Sequence, residues 1–382
     1  GGTNVNEVAF MRGLSLEQLQ RYNEAIDTYL SIPDGRGEYY GGRATGRLMI
    51  LAASDAAKDA VEKRTAQLAV DARSKDSETS RKSLQALLRL TGLKEAQQQL
   101  LDSLRDVYKN LPAYQNVPSF KLMDVGRREL KKDISVLLSG NEHQQIADEL
   151  LFLGLDDEAA PEFEASQTSS DGGRATDLGY TIAVLYQRGD MANRAVAFAE
   201  PLWRNVPADY QIELIPRAQL DMLYPEPYVD SLVKYASPRG VDRRFVLSIM
   251  RQESRYRAQV KSYAAARGLM QFIAGTSDKI ANELGKQNFH QDELYDPPTA
   301  ILFGSQYFAD LFMEFPQQPE AVAASYNGGD DNMKRWLTRS KSNSPDRYVP
   351  EIIFSQSKDY VYKVMSNFRM YQMIYDENLR SR

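Results

Sequence analysis

A glutamate stands where a helix should still be facing its core. In GVDRRFVLSIMRQES (240–254), Phe245, Val246, Ile249 and Met250 fall on one helical stripe, and Glu253 continues it, four residues after Ile249 and three after Met250. A carboxylate on an apolar face is costly unless it is paired, neutralised or set at the edge of a cleft. Desolvation there would raise its pKa, and so would the carbonyls of the last helical turn. Arg251 and Arg255 lie two residues to either side and project off the stripe. A carboxyl group kept protonated near neutral pH is what a general acid requires. The same helix also admits a plain ion pair between Glu253 and an arginine at its end, and taken alone it favours that reading.

The segments that follow supply groups for a cleft. KSYAAARGLMQFIAGTSDKIANEL (261–284) opens with a polar turn holding Ser262 and passes small residues to Gly268 and Gln271. It then enters a helix that Thr276 could cap. Gly268 allows close backbone approach to a ligand or a neighbouring helix. In DPPTAILFGSQYFADLFMEF (296–315), Asp296 is the expected N-cap with Pro297 at the first helical position. PEAVAASYNGGDDNMKRW (319–336) is a small-residue helix that stops at Gly328-Gly329, with Tyr326 and Asn327 at its end. An aromatic hydroxyl and an amide at such a turn suit sugar binding, but Asn before Gly is equally an ordinary helix stop. Met270 and Trp336 read as core. Tyr348, Tyr360, Tyr362 and Tyr371 read either as packing or as cleft wall.

The elements behind this region are helical almost throughout. Three stretches, 9–33, 146–166 and 178–203, each show a helix, a short turn and an Ala-rich helix, with Ala25, Ala159 and Ala195 soon after the turns. That is the pattern of degenerate helical-hairpin repeats stacked as a solenoid. The Lys-, Glu-, Asp- and Gln-rich runs 54–82 and 92–110 read as solvated helix faces. YPEPYVD (224–230) sets prolines before a new apolar helix and marks a boundary between 1–225 and 226–382. The fold class expected is all-α: a helical-repeat superhelix followed by a mostly helical C-terminal domain.

The 382 residues carry a net charge of −5, with 42% apolar and 26% charged residues, as in a folded globular chain and not a general nucleic-acid binder. Cysteine is absent and His143 and His290 are the two histidines, so disulfides, thiolate sites and a multi-histidine metal site are not expected. No cofactor and no metal are expected. No run has the length of a membrane span. The beginning, GGTNVNEVAF, reads as a processed or truncated start.

The order RQES, GLMQ, SYNGG and an aromatic-rich closing helix resembles the catalytic domain of the soluble lytic transglycosylases, over about 226–375. The resemblance implies a lysozyme-like helical module preceded by a superhelical region. It implies Glu253 as single catalytic acid/base, with Ser262, Gln271, Tyr326 and Asn327 as substrate-binding residues. The substrate implied is the peptidoglycan glycan strand, cleaved non-hydrolytically to 1,6-anhydromuramic ends. A lysozyme-type hydrolase and a non-catalytic wall-binding scaffold are the other readings. The resemblance also implies a periplasmic location, with membrane association if a lipid anchor precedes residue 1, and leaves open a protein partner on the repeats. Asp242 and Asp278, the available second carboxylates, are better explained as helix-start residues. The chain departs from the family pattern at Ala265, where the family has Gly, and at Ile273, Ala300, Gln356 and Ser357.

Overall fold

The computed structural model describes residues 3–115, 117, 120–122, 142–166 and 174–382. Among these residues the chain is all-α, and its only extended pairings are isolated bridges. Contacts gather it into two compact units. One comprises Gly1–Gln115, Ala208–Leu214 and Tyr228–Arg382, the other Asn116–Pro207 and Ile215–Pro227. The chain passes between the two units at Pro227/Tyr228, and residues 1–115 group with 228–382.

In the first unit the chain starts with α1 (Val5–Gln18), α2 (Tyr22–Leu30), α3 (Tyr39–Ala52), α4 (Lys58–Asp71), α5 (Ser77–Leu90) and α6 (Lys94–Tyr108). Successive helices pack on one another, as the repeat pattern predicts. Ala25 is completely buried where α2 meets its neighbours. On α4 the buried residues are Ala60 and Leu68, which agrees with a solvated outer face for this charged run.

The second unit holds α7 (Glu142–Phe152), α8 (Asp156–Ala165), α9 (Arg174–Arg188), α10 (Ala192–Trp203) and α11 (Arg217–Leu223). Its core joins Ala147, Ala160, Phe163, Ile182, Leu185, Tyr186 and Ala195. Alanines at these positions let the helix axes approach closely, which is how short hairpins bury enough surface to stack.

Back in the first unit come α12 (Val229–Tyr235), α13 (Arg243–Ser254), α14 (Ala274–Glu283), α15 (Pro297–Glu314), α16 (Pro319–Gly328), α17 (Asp330–Ser340), α18 (Pro345–Tyr348) and α19 (Ser355–Ile374). The side chain of Asp242 caps α13 by accepting the Arg244 N–H at 2.9 Å. Asp296 caps α15 through the Thr299 N–H at 3.0 Å, with Pro297 opening the helix as expected. Thr276 does not cap α14. That helix already begins at Ala274 behind an extended Ile273, so Thr276 and Asp278 lie inside it. Phe245 of α13 meets Phe308 and Phe312 of α15 and Phe368 of α19 edge-on, at 5.4, 5.4 and 5.5 Å. This aromatic knot sets the spacing between α13 and α19.

Ion pairs tie the N-terminal helices to the C-terminal ones within this unit. Lys358 Nζ lies 3.2 Å from Glu7 Oε1. Arg369 grips the Asp34 carboxylate with both terminal nitrogens. Arg43 reaches Asp346 at 2.6 Å and Glu320 at 3.3 Å, and those two carboxylate side chains are only 6% and 5% exposed. Removing a partner from a buried pair costs more than the pair contributes, because the remaining charge is stranded. Arg43→Ala is therefore expected to destabilise the chain by about 3–5 kcal/mol in urea unfolding at pH 7. A loss below about 1 kcal/mol would mean that solvent already compensates the two carboxylates.

Candidate active site

Glu253 is the penultimate residue of α13. Phe245, Val246, Ile249 and Met250, which share its stripe, are fully buried. The helix then stops abruptly, because Arg255 and Tyr256 both take left-handed backbone conformations, φ 48° and 61°. Glu253 is thus held at the rim of the core by an apolar helix face and a sharp exit. Burial pushes its carboxyl group up to about 7, and a hydrogen bond from Tyr360 partly opposes that rise. The Tyr360 hydroxyl donates to Glu253 Oε1 at 2.6 Å. No arginine pairs with this carboxylate among the interactions that shift it. The ion-pair reading favoured by the isolated helix is replaced by a desolvated acid with a phenol donor.

Tyr326, near the end of α16, lies beside this pair. Its ring is nearly parallel to that of Tyr360, with centroids 6.5 Å apart and planes at 12°. Phe272, Tyr307 and Phe308 surround it at 5.8, 5.6 and 5.2 Å. Its hydroxyl donates to the Met270 carbonyl at 2.5 Å. Both phenols are driven well above their ordinary range, by burial first and then by the Glu253 carboxylate. Both therefore stay protonated as donors at any working pH.

Ser262 and Gln271 sit on one irregular loop between α13 and α14. Ser262 closes a small turn: its N–H donates to Ala266 O at 2.9 Å, and its Oγ accepts the Ala266 N–H at 3.1 Å. A hydroxyl that accepts still has its proton to donate, so the turn and a ligand can share it. Gln271 Nε2 donates to the carbonyls of Gly268 and Val260 at 2.9 and 3.2 Å, and so pins the loop to itself. Gly268 has φ +73°, and a Cβ there would lie 1.9 Å from Leu294 O, so no other residue fits. Met270 is fully buried, as expected for a core residue. The loop is thus fastened at Gly268 and Met270, and Tyr326 joins it to α16.

Asn327 faces the other way. Its Oδ1 accepts from Ser357 Oγ at 2.8 Å, which ties the Tyr-Asn-Gly-Gly turn to the first turn of α19. A Cβ on Gly328 would come within 2.7 Å of the same Ser357 Oγ. Ser357, a departure from the family pattern, therefore fills a position where the turn and α19 nearly touch. Trp336 is 3% exposed and belongs to the core. Asp242, the first alternative carboxylate, caps its helix and pairs with Arg244 at 2.6 Å. Asp278 lies exposed on α14.

Tyr360 is the site residue that sequence reasoning did not single out. It was one of several tyrosines with no distinguishing feature. Its partner lies 107 positions away, and no local pattern reports such a contact.

Comparison with known proteins bears on this geometry. Residues 231–349 match the family described as Transglycosylase SLT domain. That segment is similar to the soluble lytic transglycosylase domain. The match contains Glu253, Ser262, Gln271, Tyr326 and Asn327, and ends before Tyr360. The soluble lytic murein transglycosylase of Escherichia coli K12 is 29% identical over 149 residues, 38% of this chain and 23% of that protein. The membrane-bound lytic murein transglycosylase C of Salmonella arizonae is 29% identical over 163 residues, 37% of this chain and 45% of that protein. The chain thus aligns with less than half the length of either relative. Among solved structures, a 70-kDa soluble lytic transglycosylase in complex with bulgecin A has a TM-score of 0.49 at 20% identity, over 94% of this chain and 64% of that one. The Slt transglycosylase of Pseudomonas aeruginosa, solved as an inactive mutant, has a TM-score of 0.48 at 20% identity, over 97% and 52%.

Two consequences are measurable. Ala265, where the family has glycine, sits at φ +60°. An L-residue in this region pays about 1–2 kcal/mol, and glycine gives part of that back as chain entropy. Ala265→Gly should therefore stabilise the fold by about 0.5–1 kcal/mol, seen as a raised Tm. The second concerns Glu253 itself. Its folded pKa lies above the unfolded value, so the folded state binds the extra proton and stability falls as pH rises from about 4.5 to about 7. Glutamine does not titrate. Glu253→Gln should match wild type near pH 4 and exceed it by about 1–3 kcal/mol at pH 8. Equal stability of the two proteins at pH 8 would show that Glu253 is not desolvated.

Proposed function

We propose that the chain is a lytic transglycosylase acting on peptidoglycan, with the catalytic machinery in 226–382, helical repeats in 1–225 and Glu253 as its acid and base. The observation that carries this reading is the buried Glu253 carboxyl, with a pKa near 7 and a phenol donor on Oε1, inside the segment that matches the SLT domain. An acid with a pKa near working pH is populated in both protonation states, so one residue can donate and then accept.

The substrate under this reading is the β-1,4 bond between N-acetylmuramic acid and N-acetylglucosamine. Protonated Glu253 gives its proton to the glycosidic oxygen as the bond breaks. The substrate's own N-acetyl group stabilises the anomeric carbon, the duty that a second carboxylate has in most glycosidases. Asp242 supports this division of labour, since its carboxylate is already committed to Arg244 and the helix cap. Ionised Glu253 then takes the proton of the C6 hydroxyl, which attacks the anomeric carbon and closes a 1,6-anhydro ring. Tyr360 stabilises the anionic form between the two steps by donating to it.

Tyr326 acts in this scheme as the wall against which Tyr360 is stacked and as the brace of the Gly268–Gln271 loop. Ser262 donates to the substrate or to Glu253 while its Oγ holds the turn, and Gln271 and Asn327 shape the cleft by fixing its two sides. The reading puts the protein in the periplasm, where such glycan strands are, though no helix of the described residues is long and apolar enough to cross a membrane.

Mass spectrometry of fragments released from purified sacculi tests the proposal. The wild type should release 1,6-anhydromuropeptides, and Glu253→Gln should release none above background while keeping its helical circular dichroism. Reducing-end muramic acid as the product would mean a hydrolase instead. Undiminished cleavage by Glu253→Gln would end the proposal.

A further inference from the structure

The first turns of α19 are gripped from two sides. Positions 358 and 362 are four apart and share one helix face, whereas 360 lies between them and points the other way. Forward, Tyr360 donates to Glu253. Behind, Lys358 and Tyr362 converge on Glu7 of α1. Lys358 Nζ lies 3.2 and 3.4 Å from the two Glu7 oxygens, and the Tyr362 hydroxyl donates to Glu7 Oε2 at 2.6 Å. Lys358 also donates to Pro350 O at 2.9 Å, and Tyr362 stacks on Tyr39 of α3 at 5.1 Å. Glu7 is 5% exposed and Lys358 3%.

A surface ion pair could be lost with little effect on geometry, but a buried one cannot. Moving Glu7 strands the Lys358 ammonium in the interior, and Lys358 then has to shift with the helix that carries it. Tyr360 is two residues along that helix, on a hydrogen bond short enough that a displacement of a fraction of an ångström breaks it. Neither Glu7 nor α19 lies in the 231–349 segment that matches the transglycosylase family. We propose that Glu7 is a positioning residue for the reaction, acting through Lys358 and Tyr362 to hold Tyr360 on the Glu253 carboxyl. The inference rests on the function proposed above. It makes the first helix of the repeat region a working part of the catalytic site.

The titratable side chain that acts on Glu253 is Tyr360 of α19; Glu253 in turn acts on Tyr326 of α16, and Arg251 on its own helix acts on Tyr371. Loss of the Tyr360 bond therefore has one direction: the Glu253 titration moves up, because that bond holds it down.

The test is a double-mutant cycle on the full chain with Glu7→Gln, Tyr360→Phe and the pair. Two quantities are followed: the pH dependence of kcat on sacculi, and the Glu253 carboxyl titration by 13C NMR. Each single variant should lower kcat by on the order of tenfold to a hundredfold, the scale of a misplaced catalytic group. Each should also move the falling limb of the pH profile and the Glu253 midpoint upward. The pair should do no more than Tyr360→Phe alone, since Glu7 acts through that hydroxyl. If Glu7→Gln fails to fold, Tyr362→Phe takes its place. It removes one of the bonds to Glu7, keeps the ion pair, and should give a smaller shift of the same sign. An unmoved Glu253 midpoint alongside a lowered Tm, or additive effects in the pair, overturns the proposal and leaves Glu7 a structural residue. If the wild type does not cleave sacculi, the functional reading fails, but the NMR titration still decides whether Glu7 positions the carboxyl.

Discussion

The hydrogen bond from Tyr360 to Glu253 is the constraint on which the site depends. Burial favours the neutral carboxyl and the phenol donor favours the carboxylate. These are the two influences that set the group near 7, where neither form dominates. More burial without the donor would leave an acid reluctant to become a base. A donor without burial would leave an ordinary carboxylate. The apolar face of α13 supplies one influence and α19 the other, so the relative placement of two helices fixes the chemistry. Phe245, wedged against Phe308, Phe312 and Phe368, sets that placement from the core side. Glu7 and Lys358 oppose it from the other side.

Much of this was legible in the sequence, for local reasons. The stripe Phe245, Val246, Ile249, Met250 gave the direction in which Glu253 points, because helical periodicity is a nearest-turn property. Asp242, Asp296 and Pro297 gave helix starts through capping chemistry that operates within a few residues. Gly268 gave a close backbone approach, the Gly328-Gly329 pair gave a helix stop, and the buried Ala25, Ala159 and Ala195 gave the hairpin contacts. What failed was the one cap assigned on weaker grounds, at Thr276, where the chain leaves an extended segment two residues earlier. What escaped entirely were contacts distant in sequence. Tyr360 and Lys358 differ from their neighbours only in partners 107 and 351 positions away. A lysine and a glutamate read from sequence are solvated charges. Their burial follows only once α1 and α19 are known to be packed in one unit.

The same distinction explains why the departures from the family pattern are tolerated. Ala265 accepts a left-handed conformation because the turn around it is closed on both sides, by Ser262 and by Ala266. The strain is local and the loop beyond it is anchored independently, at Gly268 and through Tyr326 on Met270. Ser357 keeps a hydroxyl where α19 meets Asn327, so the contact survives the change of residue.

Under the proposed function the site has a single acid, and no charged group is among the influences that set its protonation. In a two-carboxylate glycosidase, repulsion between like charges does part of that work. Here Asp242 is committed to Arg244 and the helix cap. The adjustment passes to neutral groups whose effect depends on distance and desolvation. A hydrogen bond of 2.6 Å tolerates far less displacement than a charge–charge interaction, which decays slowly with separation. A single-acid site therefore needs a stiffer frame than a paired one. The buried ion pair Glu7–Lys358 and the half-buried pairs Asp34–Arg369 and Arg43–Asp346 have that property: they add little net stability when intact, and each penalises a displacement that strands a partner, the buried one most. Under the proposed function, the N-terminal helices matter to catalysis because they fix where α19 lies, without any of their residues touching the sugar.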